Sequence, residues 1–213
     1  MGAEQSPKPI SREHLRAPPA FRGMTIGLLG GTFDPPHGGH LHISEVALKR
    51  LGLDALWWLV TPGNPLKTRG DMAAFNQRFA QARAQTNDPR IEVTGFEAPL
   101  GSAYTAETLS YITQRYPETR FIWVMGADNL VNFHRWERWR DILQMVPVAV
   151  VDRPGYRFAA LSGRAALAFA QAYVDESDAR GLGRFVPPAW TFITARLSAL
   201  SSTELRAMRR NQR

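Results

Sequence analysis

Short apolar runs alternate with helix-length segments along almost the whole chain, and this alternation limits the fold more than any other feature. Met24 to Gly30 (MTIGLLG), Ala55 to Val60 (ALWWLV), Arg90 to Thr94, Arg120 to Met125 (RFIWVM) and Pro147 to Val151 each read as a buried strand, with a short last strand at Thr191 to Thr194. Helical spacing covers Gly39 to Leu51, residues 73–86, Thr105 to Tyr116, Asp128 to Leu143 and an alanine-rich stretch at 158–173. Strands apolar on both faces and separated by helices imply an α/β architecture: a doubly wound, mostly parallel sheet with helices on both faces. In such sheets ligands bind beyond the carboxyl ends of the strands, near the point where the strand order reverses. The polar stretch 175–190 reads as a long surface loop. Residues 1–22, with Pro7, Pro9, Pro18 and Pro19 among charges, read as a flexible leader before a single domain over 23–213.

Composition removes several chemistries. The chain of 213 residues has no cysteine, which excludes a disulfide scaffold, a cysteine-ligated zinc, an iron–sulfur cluster and a thiol nucleophile. Its apolar runs, such as Phe121 to Met125 and Met145 to Val151, are far short of the ~20 residues that cross a bilayer. The expectation is a cytoplasmic protein without a membrane partner. A formal charge of +7 favours anionic partners. The basic residues are scattered and form no recognition motif, so a small phosphorylated ligand is expected rather than a nucleic acid. Nothing in the sequence sets an oligomeric state.

The densest chemistry lies between the first strand and the first helix, in Gly30-Gly31-Thr32-Phe33-Asp34-Pro35-Pro36-His37-Gly38-Gly39-His40. Glycines let the backbone approach a ligand, and exposed N–H groups bind anions. His37 and His40 fall on one side of a helix N-terminus, whose partial positive charge favours phosphate. Two imidazoles and backbone amides together suit a triphosphate. A metal reading lacks a third ligand at suitable spacing. A purely structural turn accounts for the glycines and prolines but not for both histidines.

This segment resembles the G-x-F-x-P-x-H-x-G-H signature of the HIGH-motif nucleotidylyltransferase superfamily, with Gly31, Phe33, Pro35, His37, Gly39 and His40 on its fixed positions. The resemblance implies a Rossmann-like fold that joins the α-phosphate of a nucleotide to a second phosphate or carboxylate. Pyrophosphate leaves, without a covalent intermediate. Leu200-Ser201-Ser202-Thr203-Glu204-Leu205-Arg206 is similar to the family's I-S-S-T-x-I-R, with leucine for isoleucine at two positions. Serines at a helix start, with Arg206, make a phosphate clamp; the same residues also form an ordinary capping box.

Three further stretches resemble the bacterial nicotinate-mononucleotide adenylyltransferases: Ser102 to Leu109 (SAYTAETL), Gly126-Ala127-Asp128-Asn129-Leu130 with Phe133 and Trp136, and Asp152-Arg153-Pro154-Gly155-Tyr156. The resemblance runs from about residue 24 to 208. It places Gly31, Thr32, Phe33, Gly126, Asp128, Ser201, Ser202 and Lys67 at ATP, with His37, His40 and Arg206 as catalytic residues. It stacks Trp136 on the pyridine ring and sets Thr105 at its carboxylate, with Tyr104 alongside as packing and Arg153 near the substrate phosphate. Other readings stay open from the residues themselves. Trp136 and Trp139 could form a core-facing stripe, Asp128 a helix cap, Lys67 a solvated loop residue and Arg153 a turn stabiliser.

The implied reaction moves AMP from ATP to nicotinate mononucleotide, giving nicotinate adenine dinucleotide and pyrophosphate. The acceptor phosphate is already nucleophilic near neutral pH, so alignment and charge neutralisation carry catalysis rather than a strong base. Mg²⁺ is expected on the ATP phosphates, not in a protein cage. Nicotinamide mononucleotide, phosphopantetheine or FMN as acceptor, and a non-catalytic nucleotide sensor, are the alternatives.

Overall fold

A computed structural model describes residues 12, 15–62, 74–101 and 104–195. Six strands form one sheet: β1 (Thr25–Gly31), β2 (Ala55–Val60), β3 (Ile91–Thr94), β4 (Arg120–Gly126), β5 (Val148–Val151) and β6 (Trp190–Ile193). All pairings are parallel, in the order β3-β2-β1-β4-β5-β6. That is the Rossmann order, with the reversal between β1 and β4. Ile26 lies opposite Ala55 on one side and Phe121 on the other, so β1 is the sheet's central strand.

Among the described residues, eight α-helical segments accompany the strands: α1 (Gly38–Arg50), α2 (Phe75–Gln85), α3 (Glu97–Leu100), α4 (Thr105–Arg115), α5 (Ala127–Asn132), α6 (Trp139–Met145), α7 (Arg157–Leu161) and α8 (Arg164–Ala168). Side chains alternate across a strand, and the two faces of the sheet therefore build two cores. Trp57, Leu28, Trp123 and Val150 pack with α4, α5, α6 and α8, whereas Trp58, Leu29, Val124 and Val151 pack with α1 and α2. The neighbouring tryptophans of β2 thus anchor opposite layers, as a strand buried on both faces requires.

Three expectations of regular structure are corrected. The helix expected over Asp128 to Leu143 is broken: α5 ends at Asn132, a 3₁₀ turn covers Phe133–Arg135, and α6 starts only at Trp139 after Arg138 at φ 51°. The alanine-rich helix at 158–173 divides into α7, α8 and a 3₁₀ turn, interrupted at Gly163, whose backbone is extended. A Cβ there would lie 3.0 Å from the carbonyl oxygen of Ala159. The polar stretch 175–190 is not an open loop. Glu176–Arg184 forms a 3₁₀ run capped by Asp175, with Ala179 and Leu182 buried. Three residues per turn put those two on one face, against the same layer as α1 and α2.

Residues 15–22, within the segment expected as leader, lie against the body. Ala17 and Ala20 pack on the core, the Tyr116 hydroxyl donates to the Pro18 carbonyl (3.2 Å), and the Thr94 hydroxyl donates to the Arg16 carbonyl (2.9 Å). Among the described residues, no helix is long and apolar enough to cross a membrane.

Candidate active site

The turn from β1 to α1 sits at the reversal point. His37 is the N-cap of α1: its Nδ1 accepts from the Gly39 amide (3.0 Å), while Nδ1 of His40 accepts from the His37 amide (3.2 Å). The two imidazoles thus form a reciprocal capping box, a role usually filled by Ser/Thr and Glu/Gln. Nδ1 of each ring is an acceptor, so in the neutral form its proton resides on Nε2. The rings lie 3.9 Å apart, centroid to centroid. The pair therefore presents two N–H donors from adjacent positions at the positive end of a 13-residue helix.

Phe33 fixes this pair from below. It is 1% exposed, stacks on Trp58 at 5.0 Å and meets His40 at 4.6 Å. Its φ of 47° lies in the left-handed region, a conformation that costs a bulky residue about 1–3 kcal/mol and persists only where packing over-determines it. The side chain of Phe33 is thus committed to the core, and its contribution to a ligand site is the shape of the turn. Thr32 is buried and Gly31 closes β1.

Across the reversal, β4 ends at Gly126, the N-cap of α5. A Cβ at Gly126 would lie 2.6 Å from Oδ1 of Asp128, so this position has no room for a side chain while Asp128 holds its place. Oδ2 of Asp128 pairs with Arg153 beyond β5 at 2.5 Å, and Oδ1 is buried without a hydrogen-bond partner. Asp128 and Arg153, expected separately from sequence, are thereby brought together. Asp152 in turn accepts from the Arg153 amide (2.8 Å) and from Arg157 Nε (2.9 Å).

On the far layer, Tyr104 is the N-cap of α4 and supplies no side-chain cap; its ring is exposed, and Thr105 opens the helix. Trp136 is half-buried, edge-on to Phe133 (5.1 Å) and Trp123 (6.2 Å). Trp139 is buried. Trp139 belongs to the core, and Trp136 is half-buried and packs against the same cluster, both meeting Phe133. Lys67, Ser201, Ser202 and Arg206, with the helix expected from Thr203, lie outside the described residues. Among the described residues no three His, Asp or Glu side chains gather as a metal cluster.

Two charged residues that sequence reasoning missed lie under these loops. Arg78 of α2 is wholly buried; it donates to the carbonyls of Thr32 (2.5 Å), Thr61 (2.9 Å) and Pro62 (3.3 Å). Burial lowers its pKa, and the charge of Asp34 opposes that shift. Glu97 of α3 is 5% exposed and accepts from the Thr108 hydroxyl at 2.7 Å and from Thr61. Burial pushes its carboxyl up to about 7, against the pull of those two hydroxyls. A sequence signal existed for the arginine. Phe75, Arg78, Phe79 and Ala82 follow the i, i+3, i+4, i+7 spacing of a buried helix face, so Arg78 occupies a core position.

Comparisons with known proteins agree on the family. Residues 28–208 match the cytidylyltransferase-like family. A protein of Methylorubrum extorquens (strain PA1) named probable nicotinate-nucleotide adenylyltransferase is 58% identical, covering 86% of this chain and 99% of that protein. One of the same name from Agrobacterium fabrum is 54% identical over 86% and 98%. The chain belongs to the nicotinate-nucleotide adenylyltransferase family. The fold of the chain also matches the nicotinic acid mononucleotide adenylyltransferase of Plasmodium falciparum, solved as a complex with NaAD. The TM-score is 0.65, at 15% identity, covering 86% of this chain and 83% of that one.

Proposed function

We propose that the protein transfers AMP from ATP to nicotinate mononucleotide, forming nicotinate adenine dinucleotide and pyrophosphate in NAD biosynthesis. The observation that carries this reading is the interlocked His37–His40 pair at the start of α1, set at the end of β1 beside the Gly126–Asp128 turn. The family relationship supplies the substrate class.

In the reaction, an oxygen of the mononucleotide phosphate attacks the α-phosphorus of ATP, and the bond from that phosphorus to the bridging oxygen breaks. Pyrophosphate departs with the electron pair. The nucleophile is an anion, so the step requires no general base. His37 and His40 present Nε2–H groups to ATP oxygens whose charge grows in the transition state. Mg²⁺ arrives with ATP as the Mg-ATP complex and offsets phosphate charge. Gly31 and Thr32 shape the turn around ATP, with Gly126 and Asp128 opposite; Lys67, Ser201, Ser202 and Arg206 hold its outer phosphates. Trp136 stacks on the pyridine, Thr105 and Tyr104 border its carboxylate, and Arg153 lies on the mononucleotide side. The reading includes a cytoplasmic location, as expected from sequence.

Incubation with Mg-ATP and equal nicotinate and nicotinamide mononucleotides, with both dinucleotides quantified by mass, tests the proposal. A large excess of the acid product is expected. Comparable amounts overturn the acid preference, and the absence of either dinucleotide overturns the activity.

A further inference from the structure

A largely buried chain of hydrogen bonds runs beneath the three loops at the carboxyl ends of β1, β2 and β3, with Thr61 partly buried. The Thr61 amide donates to the Gly31 carbonyl (3.0 Å), and the Thr61 carbonyl accepts from Arg78, which also holds the Thr32 carbonyl. The Thr61 side chain bonds Glu97. Glu97 accepts from Thr108, whose hydroxyl also lies 3.3 Å from the Tyr104 carbonyl at the start of α4. One path therefore joins the phosphate turn to the Tyr104–Thr105 end of the pyridine side.

We propose that Glu97 is a positioning residue for the adenylyl transfer: through Thr61 and Thr108 it holds the start of α4, with Tyr104 and Thr105, at a fixed distance from the β1 turn. The proposal rests on the reading under Proposed function. The chemistry of the carboxylate makes it suited to this. An ionised carboxylate only accepts, so both threonine hydroxyls must point toward it, and bonds to a charged acceptor are roughly twice as strong as neutral ones. A residue kept only to fill this place would be apolar or amide, because an ionised group in a buried site works against folding. The carboxyl's raised pKa shows that tension. The groups on the elements around it do not relieve it. Glu92 of β3, Glu107 of α4, Tyr104 and Arg16 are exposed, and the guanidinium of Arg78 bonds the carbonyls of Thr32, Thr61 and Pro62.

The test uses Glu97→Gln, Thr108→Val and Thr108→Ser in the full chain, with KM for each substrate, kcat and Tm measured between pH 5.5 and 8.5. Losing one charge-assisted bond corresponds to about a tenfold change. Glu97→Gln and Thr108→Val are expected to raise the KM for nicotinate mononucleotide about tenfold, with the KM for ATP changed less than about twofold. Thr108→Ser, which keeps the hydroxyl, should stay near wild type. The ratio of wild-type to Glu97→Gln kcat/KM should titrate near neutrality, since the substrate's own phosphate titration cancels in it. Glu97→Gln should melt no lower than wild type at pH 8. Unchanged KM and pH profile with a lowered Tm would show a structural role only and overturn the proposal. A wild-type protein that makes no dinucleotide overturns the functional reading instead, and this proposal with it.

Discussion

The β1–α1 turn and the proposed pyridine side of the site are built by different means. The histidine pair of the turn is closed locally: within eleven consecutive residues His37 and His40 cap one another and Phe33 packs against His40, with Arg78 and Trp58 bracing the turn from outside. The proposed pyridine side draws on Tyr104–Thr105, Trp136 and Arg153, three segments from different crossovers. Long-range bonds hold it, chiefly Asp128–Arg153 and Thr108–Glu97. A locally closed turn has its geometry set before any ligand arrives, which electrostatic catalysis of phosphoryl transfer requires. A pocket assembled from distant segments gains its shape from tertiary packing, and its affinity should respond to changes that touch no ligand.

The largest effect should therefore come from the turn. His37→Ala or His40→Ala is expected to slow single-turnover AMP transfer by about 10²- to 10³-fold, the usual scale for losing one donor to a developing charge. A loss below about tenfold in a folded variant would break the comparison, because the turn would then be scaffolding. His37→Ala also removes the N-cap and should cost about 1 kcal/mol of stability; Tm is the check on that share.

Glu97 gives the next largest effect, read as stability against pH. Its carboxyl is pushed from 4.5 up to about 7 in the fold, so the folded protein holds this proton more tightly than the unfolded chain does. The stabilisation tied to that proton is complete below about pH 4.5 and is lost as pH rises to about 7. Glu97→Gln has no such proton. Its Tm should gain on wild type across that window, by an amount on the order of 3 kcal/mol at most, or about 6–12 °C in a chain of this size. Parallel Tm curves would show that the carboxyl is not held in the buried state.

The same contrast explains what the sequence could reveal. The turn was legible because its chemistry is local: glycines, prolines and two histidines at helical spacing between a strand and a helix. The Asp128–Arg153 pair was legible only as two separate residues, since nothing in spacing sets residues 25 positions apart against each other. The break between α5 and α6 was hidden because apolar spacing continues through Phe133, Trp136 and Trp139, while a left-handed Arg138 gives no compositional warning. The 3₁₀ run at Glu176–Arg184 was masked by polar composition, although Ala179 and Leu182 recur at its period of three. Glu97 lies in an unremarkable stretch, and only the fold puts Thr61 and Thr108 on either side of it.

A smaller effect concerns Trp136. Trp136→Ala should raise the KM for nicotinate mononucleotide about tenfold, because aromatic stacking contributes about 0.5–1.5 kcal/mol beyond buried area. Trp136→Phe should recover most of it, and the KM for ATP should stay within about twofold in both. An equal rise in both KM values would place Trp136 in the packing of α5 and α6 instead.

The smallest expected quantity is a coupling. His40 rests on Phe33 and Trp58 in the core layer of α1 and α2, whereas Trp136 rests on Phe133 and Trp123 in the layer of α4 to α8. The sheet separates them and they share no ring contact. In a double-mutant cycle of His40→Ala and Trp136→Ala, read as kcat/KM for the mononucleotide, the two losses should add to within about 0.5 kcal/mol. Glu97→Gln combined with Trp136→Ala should depart from additivity by more than that, because both bear on the same assembled pocket. If the first cycle shows the larger coupling, the two regions form one cooperative unit, and the division between a closed turn and an assembled pocket fails.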